Sequence, residues 1–366
     1  MAVIIAARRT AVVPRGGAFS TLHPHELAAP VIDAMLRDTG LSPHDIGQIF
    51  LSNALGGGGN PARMAALFSG LGHVSGLSID AQCAGGLDAI AMAAAWVDAG
   101  FARAVIAGGS ESFSQRPLRA TQPGQDSAPR FYTRPPFSPF PEQDPDLTVA
   151  ADHLARNLGL SRQEQDDFAI ESHRKALAAR DVLRTEIVSL QDVDQDAFTR
   201  RLTLKTASRS KSLSGSVSAA ATAVEADGAA FCLVVSDDMR ALADHAVSIR
   251  AHASVGADSA VPGMAPVAAI KRVLAASTLT PNDLNTIEVM EAYAAQAIAC
   301  IRLGHLPEDR TNVSGGALSR GHPIGASGAT LVCRAFHELA RRPGPALCTI
   351  AAAGGIGSAL VLETSV

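Results

Sequence analysis

No uninterrupted apolar segment of this sequence is long enough to span a bilayer; even the alanine-rich stretch after Cys83 is broken by Asp88 and Asp98. Charge imbalance is missing too. A formal net charge of −4, with neither an acidic tail nor a basic arm, leaves no electrostatic footprint for nucleic acid. The five cysteines (Cys83, Cys232, Cys300, Cys333, Cys348) are odd in number, scattered, and free of CxxC or other metal-ligand spacing. Such usage fits reduced thiols in a reducing compartment. The first ten residues place Arg8 and Arg9 after a short apolar run, the reverse of a secretory leader. These absences predict a cytoplasmic protein with no metal, membrane or nucleic-acid partner.

What is present is an ordinary soluble composition, 47% hydrophobic and 18% charged over 366 residues. That length can bury one large core or two packed halves. The N-terminal part alternates strand and helix patterns: strands at 3–7, 46–52, 76–81 and 104–107, helices at 25–38, 61–71 and 85–99. The C-terminal part repeats the rhythm, with strands at 231–236, 247–253, 286–290, 346–351 and 358–363 and helices at 266–277, 292–303 and 326–341. Alternation of this kind predicts a layered α/β fold, and two halves of similar order suggest an internal duplication. Between them, residues 113–150 hold eight prolines and read as a long irregular excursion. Helical spacing returns at 152–182, and 191–218 is polar and basic, with Arg200, Arg201, Lys205, Arg209 and Lys211.

Three glycine-bearing motifs carry chemistry. In Ala81-Gln82-Cys83-Ala84-Gly85-Gly86-Leu87 a strand end turns into a helix, so Cys83 sits where backbone N–H groups and the macrodipole favour a thiolate. A buried structural cysteine is the commoner fate of this residue type, but the glycines after it let a ligand approach the backbone. In Ser319-Arg-Gly-His322-Pro-Ile-Gly325-Ala-Ser-Gly328 a histidine in a glycine-rich turn precedes another helix. Ala351-Ala-Ala-Gly354-Gly355-Ile-Gly357 is a strand running into a loop of free backbone donors, by itself a weak, nest-like feature.

The order of these blocks resembles the thiolase family from about residue 2 to 364. Further blocks strengthen the likeness: Ala7-Arg-Arg-Thr10, Asn60-Pro-Ala-Arg63, Gly108-Gly109-Ser-Glu-Ser112, Asp227-Gly228-Ala229-Ala230, Gly263-Met-Ala-Pro266 and Glu291-Ala-Tyr-Ala-Ala-Gln296. The resemblance implies a duplicated five-layer α-β-α-β-α core with an inserted loop domain. It implies one half at 1–112 with 219–240, the insertion at 113–218, and the second half at 241–366. Cys83 would be the acyl-accepting nucleophile and His322 its base. The backbone N–H groups of Cys83 and Ala353 would form an oxyanion hole. Acyl-CoA and CoA would be substrates, with no tightly bound cofactor. The insertion would hold the pantetheine and nucleotide, Ala223, Met264 and Arg201 being the candidate contacts. Family members are dimers or tetramers, which implies a homo-oligomer.

The pattern also breaks. Where the family carries its second catalytic cysteine this chain has Ala351, with Ala353 in place of the glycine after it. Cys348 lies three residues earlier, roughly 10 Å along a strand and on the opposite face unless a bulge intervenes. The family's Asn-Glu-Ala-Phe reads Met290-Glu291-Ala292-Tyr293, and Met290 cannot hold a water strongly. The stretch Ala219-Ala220-Ala221-Thr222-Ala223 lacks an Asn and a Ser of the pantetheine region. Three readings follow: an acetyl-CoA acetyltransferase or 3-ketoacyl-CoA thiolase-like enzyme altered in condensation, a specialised condensing or acyl-transfer enzyme, and a non-catalytic acyl-CoA-binding protein.

Overall fold

The computed structural model describes residues 2–364. Nine strands form the path of an 11-stranded sheet. They are β1 (Ala2–Thr10), β2 (Gln48–Ser52), β3 (Leu77–Ile79), β4 (Ala104–Glu111), β5 (Ala226–Ser236), β6 (Val247–Gly256), β7 (Thr286–Val289), β8 (Pro345–Ala352) and β9 (Ile356–Thr364). Their spatial order is β7-β8-β9-β6-β1-β5-β4-β2-β3. From the central β6-β1 pair outward, each half runs first strand, last strand, next-to-last, second. The ladders repeat as well: β1/β5 and β5/β4 are antiparallel and β2/β4 parallel, as are β6/β9, β9/β8 and β7/β8 in turn. The sequence duplicated its topology while its residues diverged.

The principal helices are α1 (Pro24–Thr39), α2 (Pro61–Phe68), α3 (Gly85–Asp98), α4 (Leu147–Asn157), α5 (Arg162–Ala178), α6 (Ala265–Ser277), α7 (Ala294–Leu303) and α8 (Ile324–Leu339). Strand faces alternate between two cores, as the period of two requires. Cys232 and Val234 of β5 point to the central layer, Phe231 and Leu233 to α1 and α2. Leu360 and Leu362 of β9 likewise face the centre, while Val361 packs with Ile270 and Val273 of α6. The half-sheets, joined among the described residues through Val3↔Ser248 and Ile4↔Val247, both press on α3 and α8. This is the five-layer arrangement. Each large side chain fully buried there contributes about 1.5–3 kcal/mol.

The two central helices meet through glycine. A Cβ on Gly86 would stand 2.7 Å from the Gly325 carbonyl oxygen, and one on Gly328 would stand 2.5 Å from the Leu87 nitrogen. Contacts that short forbid any larger residue, so the pairing of α3 with α8 depends on these positions. Gly109 explains a boundary that sequence reading set too early. The pair Gly108-Gly109 looked like a strand stop after 107, yet β4 continues to Glu111. A Cβ on Gly109 would lie 1.9 Å from the Gly325 oxygen, so that glycine is there for close approach within the strand.

The stretch between β4 and β5 holds a small hairpin (Arg119–Thr121 with Arg130–Tyr132), α4 and α5. The helical spacing expected at 152–182 is broken after α4, where Gly159 adopts φ +64° and Ser161 caps α5. A buried ionic cluster ties this stretch to the core. Arg9 Nε donates to Glu186 Oε1 at 2.6 Å and its Nη1 to Asp196 Oδ1 at 2.7 Å, while Arg334 of α8 also binds Glu186. Removing one partner from such a buried set costs about 3–5 kcal/mol. Among the described residues, no helix is long and apolar enough to cross a membrane.

Candidate active site

Cys83 lies in a single helical turn, Gln82–Ala84, that runs straight into α3. The preceding Gln82 holds φ +50°, a strained conformation for a residue with a side chain. Asp80 Oδ1 fixes it by accepting from both the Gln82 backbone N–H and its Nε2, each at 2.9 Å. The turn thereby lifts the Cys83 side chain off the end of the sheet. Of the five free cysteines it alone is not buried.

His322 occupies the corresponding place in the second half, just before α8. Its Nε2 is 3.1 Å from Cys83 Sγ, and its Nδ1 is 2.6 Å from Ser327 Oγ. Ser327 Oγ donates onward to the Pro323 carbonyl at 3.1 Å, so it must accept from Nδ1–H. That assignment leaves the Nε2 lone pair facing the thiol. Serine thus sets the tautomer that a base needs.

A cavity of about 150 Å³ opens above this pair. Its wall is largely apolar: Phe113, Leu147, Ala150, Ala151, Leu154 and Ile324 join the Ala351–Ala353 segment of β8 and its loop. Residues 147, 150, 151 and 154 form one stripe of α4, the helical period placing them on a single face. A larger cleft, about 540 Å³, lies beside α5 and α7, away from Cys83 and His322.

Burial dominates the electrostatics. It pushes the Cys83 thiol up to about 12, against the backbone N–H groups of Cys83 and Ala353, which favour the thiolate. It pushes His322 down to about 4. The backbone donors at the helix end favour the thiolate, as the sequence leads one to expect, but desolvation outweighs them and raises the thiol overall. Glu111, on β4, belongs to the Gly108–Ser112 block, where the sequence alone points to no role for it. Its buried carboxylate accepts from the backbone N–H groups of Ala54, Leu55 and Gly325. It pins the first turn of α8, and with it the turn carrying His322. Ser327 was also given no role; its spacing of five from His322 across a turn was the available clue.

The other sequence candidates divide. Ala351, Ala353 and Ala223 line the cavity with Cys83 and His322. Met264 stands beside Pro262 and Gly263, which line it, but is not itself part of the lining. Arg201 is exposed and away from the cavity lining. Met290 is buried and lines a separate void of about 10 Å³ with Pro323 and Ser327, not the cavity of Cys83 and His322. Cys348 is buried in the central core, and the β8/β9 ladder runs from Cys348↔Leu360 to Ala351↔Gly357 with no register shift. No bulge brings it to the site.

Comparison with known proteins agrees along the whole chain. Residues 2–238 match the thiolase N-terminal domain and residues 243–364 the thiolase C-terminal domain. The chain is 38% identical over 375 residues to YhfS of Bacillus subtilis, covering 99% of both. It is 35% identical over 376 residues to VraB of Staphylococcus aureus strain MRSA252, covering 98% of both. Both relatives are provisionally named acetyl-CoA C-acetyltransferases. The crystal structure of the Bacillus anthracis acetyl-CoA acetyltransferase superposes with a TM-score of 0.91 at 28% identity, covering 100% of this chain and 98% of that one. The chain belongs to the thiolase family.

Proposed function

We propose that this protein is an acyl-CoA C-acyltransferase of thiolase type that carries the acyl group as a thioester on Cys83. The observation that supports this best is the 3.1 Å contact between Cys83 Sγ and His322 Nε2 at the floor of an apolar cavity. Sγ attacks the thioester carbonyl carbon while its proton passes to Nε2. The C–S bond to CoA then breaks, and the imidazolium returns the proton to the departing CoA sulfur. Because thiol and imidazole both rest neutral, proton transfer accompanies attack rather than preceding it. The N–H groups of Cys83 and Ala353, both of which favour negative charge at the sulfur, are the donors for the oxyanion.

In this reading CoA is a substrate and no cofactor stays bound. The chain divides into halves at 1–112 with 219–240 and at 241–366, with the 113–218 insertion covering the pantetheine beside Ala223. The protein works in the cytoplasm as a homodimer or homotetramer. Self-association has support in the exposed Leu67, Phe68 and Leu77 around edge strand β3, since unpaired apolar edges favour pairing.

One observation favours a narrower reading, in which acyl transfer proceeds but non-decarboxylative condensation is slow. Ala351 brings no titratable atom to the cavity, and Met290 is a buried apolar side chain outside its lining. The test is release of free CoA thiol from a panel of acyl-CoAs by the wild type and by Cys83→Ser. Release that depends on Cys83 supports the proposal; equal release by both proteins overturns it.

A further inference from the structure

Tyr293 caps the N-terminus of α7 and lines the cavity with Cys83. Its Oη lies 3.3 Å from Oγ1 of Thr148, in the first turn of α4. The other polar side chains of the lining, apart from Cys83 and His322, each already have a partner. Gln296 Oε1 accepts from the Ala292 N–H and its Nε2 contacts Cys300 Sγ. Thr222 Oγ1 donates to the Ser218 carbonyl. Glu225 is held at the rim by Arg15. A phenol can donate once and accept twice. If Thr148 donates to Oη, the phenolic proton stays free inside an apolar chamber. Burial, and the nearby Asp146 and Cys83, oppose ionisation of Tyr293, so it remains a donor at neutral pH.

We infer that Tyr293, anchored by Thr148, is a specificity-determining residue whose hydroxyl donates to an oxygen on the acyl chain beyond the thioester carbonyl. The chamber then prefers a short oxygenated acyl group to a hydrocarbon chain of equal length. Its small volume limits that chain to a few carbons, and the α4 stripe offers it no other polar contact. The inference rests on the reading that Cys83 takes the acyl group.

The experiment follows initial rates of Cys83 acylation by intact-protein mass spectrometry, with butanoyl-CoA and 3-hydroxybutanoyl-CoA at equal concentration. Wild type, Tyr293→Phe and Thr148→Val are compared, and the readout is the ratio of the two rates. Wild type should favour the hydroxylated thioester on the order of tenfold, the scale of one net hydrogen bond. Tyr293→Phe should bring the ratio near one, and Thr148→Val should lower it. Should Tyr293→Phe fail to fold, the Thr148→Val ratio decides. A wild-type ratio at or below one, or a ratio untouched by the substitutions, overturns this inference alone. Absence of acylation from both thioesters overturns this inference alone where acetyl-CoA still acylates Cys83, and together with the reading beneath it where acetyl-CoA does not.

Discussion

His322 Nε2 stands 3.1 Å from Cys83 Sγ across 239 positions of sequence. The two residues meet because each precedes the equivalent helix, α3 or α8, in one of two duplicated halves. Gly86 and Gly328 then let those helices touch backbone to backbone. The proposed nucleophile and its proposed base thus occupy one structural position used twice.

Cys83 should be the most readily alkylated of the five thiols, because the other four are buried. Iodoacetamide labelling with peptide mapping measures the order of modification. Earlier labelling of Cys232 or Cys333 would remove the nucleophile assignment.

His322→Ala should keep the fold and slow Cys83 acylation by about 10²–10⁴-fold, the usual worth of a positioned base. Ser327→Ala should slow it on the order of tenfold, since only the hydrogen bond fixing the tautomer is lost. Stopped-flow release of CoA thiol checks both. Wild-type rates in His322→Ala would make the histidine structural.

The pH profile follows from burial. His322 is held down to about 4, so its Nε2 lone pair survives until pH falls towards that value. Acylation should therefore be flat from neutrality down to about pH 5 and be lost as pH falls through 4, when protonation removes the acceptor. On the alkaline side, Cys83 is held up to about 12, so iodoacetamide alkylation should keep rising through pH 9 without a plateau. Half-loss of acylation near an ordinary histidine value would contradict the desolvated, neutral pair.

Ala351 leads to a prediction about the second half-reaction. Condensation of two acetyl groups and thiolysis should be slow relative to acylation of Cys83. Ala351→Cys should raise both by about 10²–10⁴-fold while leaving acylation unchanged. Adding Met290→Asn should contribute less, because that side chain lines a separate void rather than the cavity. Coupled assays of acetoacetyl-CoA formation and cleavage provide the comparison. Ordinary thiolase turnover by the unmodified protein would end the vacancy argument, and Cys348 could not rescue it from its unbroken ladder.

Much of this was legible in the residues. The strand–helix alternation marked both halves, since buried strands and amphipathic helices leave different periods. Cys83 and His322 stood out because glycine and proline fix the turns around them. Other features depend on contacts between distant segments, which local pattern cannot carry. The Ser327 hydrogen bond, the Glu111 grip on Gly325 and the Arg9–Glu186–Arg334 cluster are of that kind. Gly109 misled because a glycine inside a strand and a glycine ending one look alike until the Gly325 carbonyl is seen against it. At Cys83 only half of the electrostatics is legible for a related reason: helix-end donors can be read from sequence, but the desolvation that outweighs them cannot.

The most direct measurement is the intact mass of the protein after incubation with acetyl-CoA, followed by peptide mapping, for wild type and Cys83→Ser. The account predicts a single acetyl adduct on wild type, mapped to the Cys83 peptide, reversed by added CoA and absent from Cys83→Ser. An unmodified wild type, or an adduct that persists in Cys83→Ser, would contradict it.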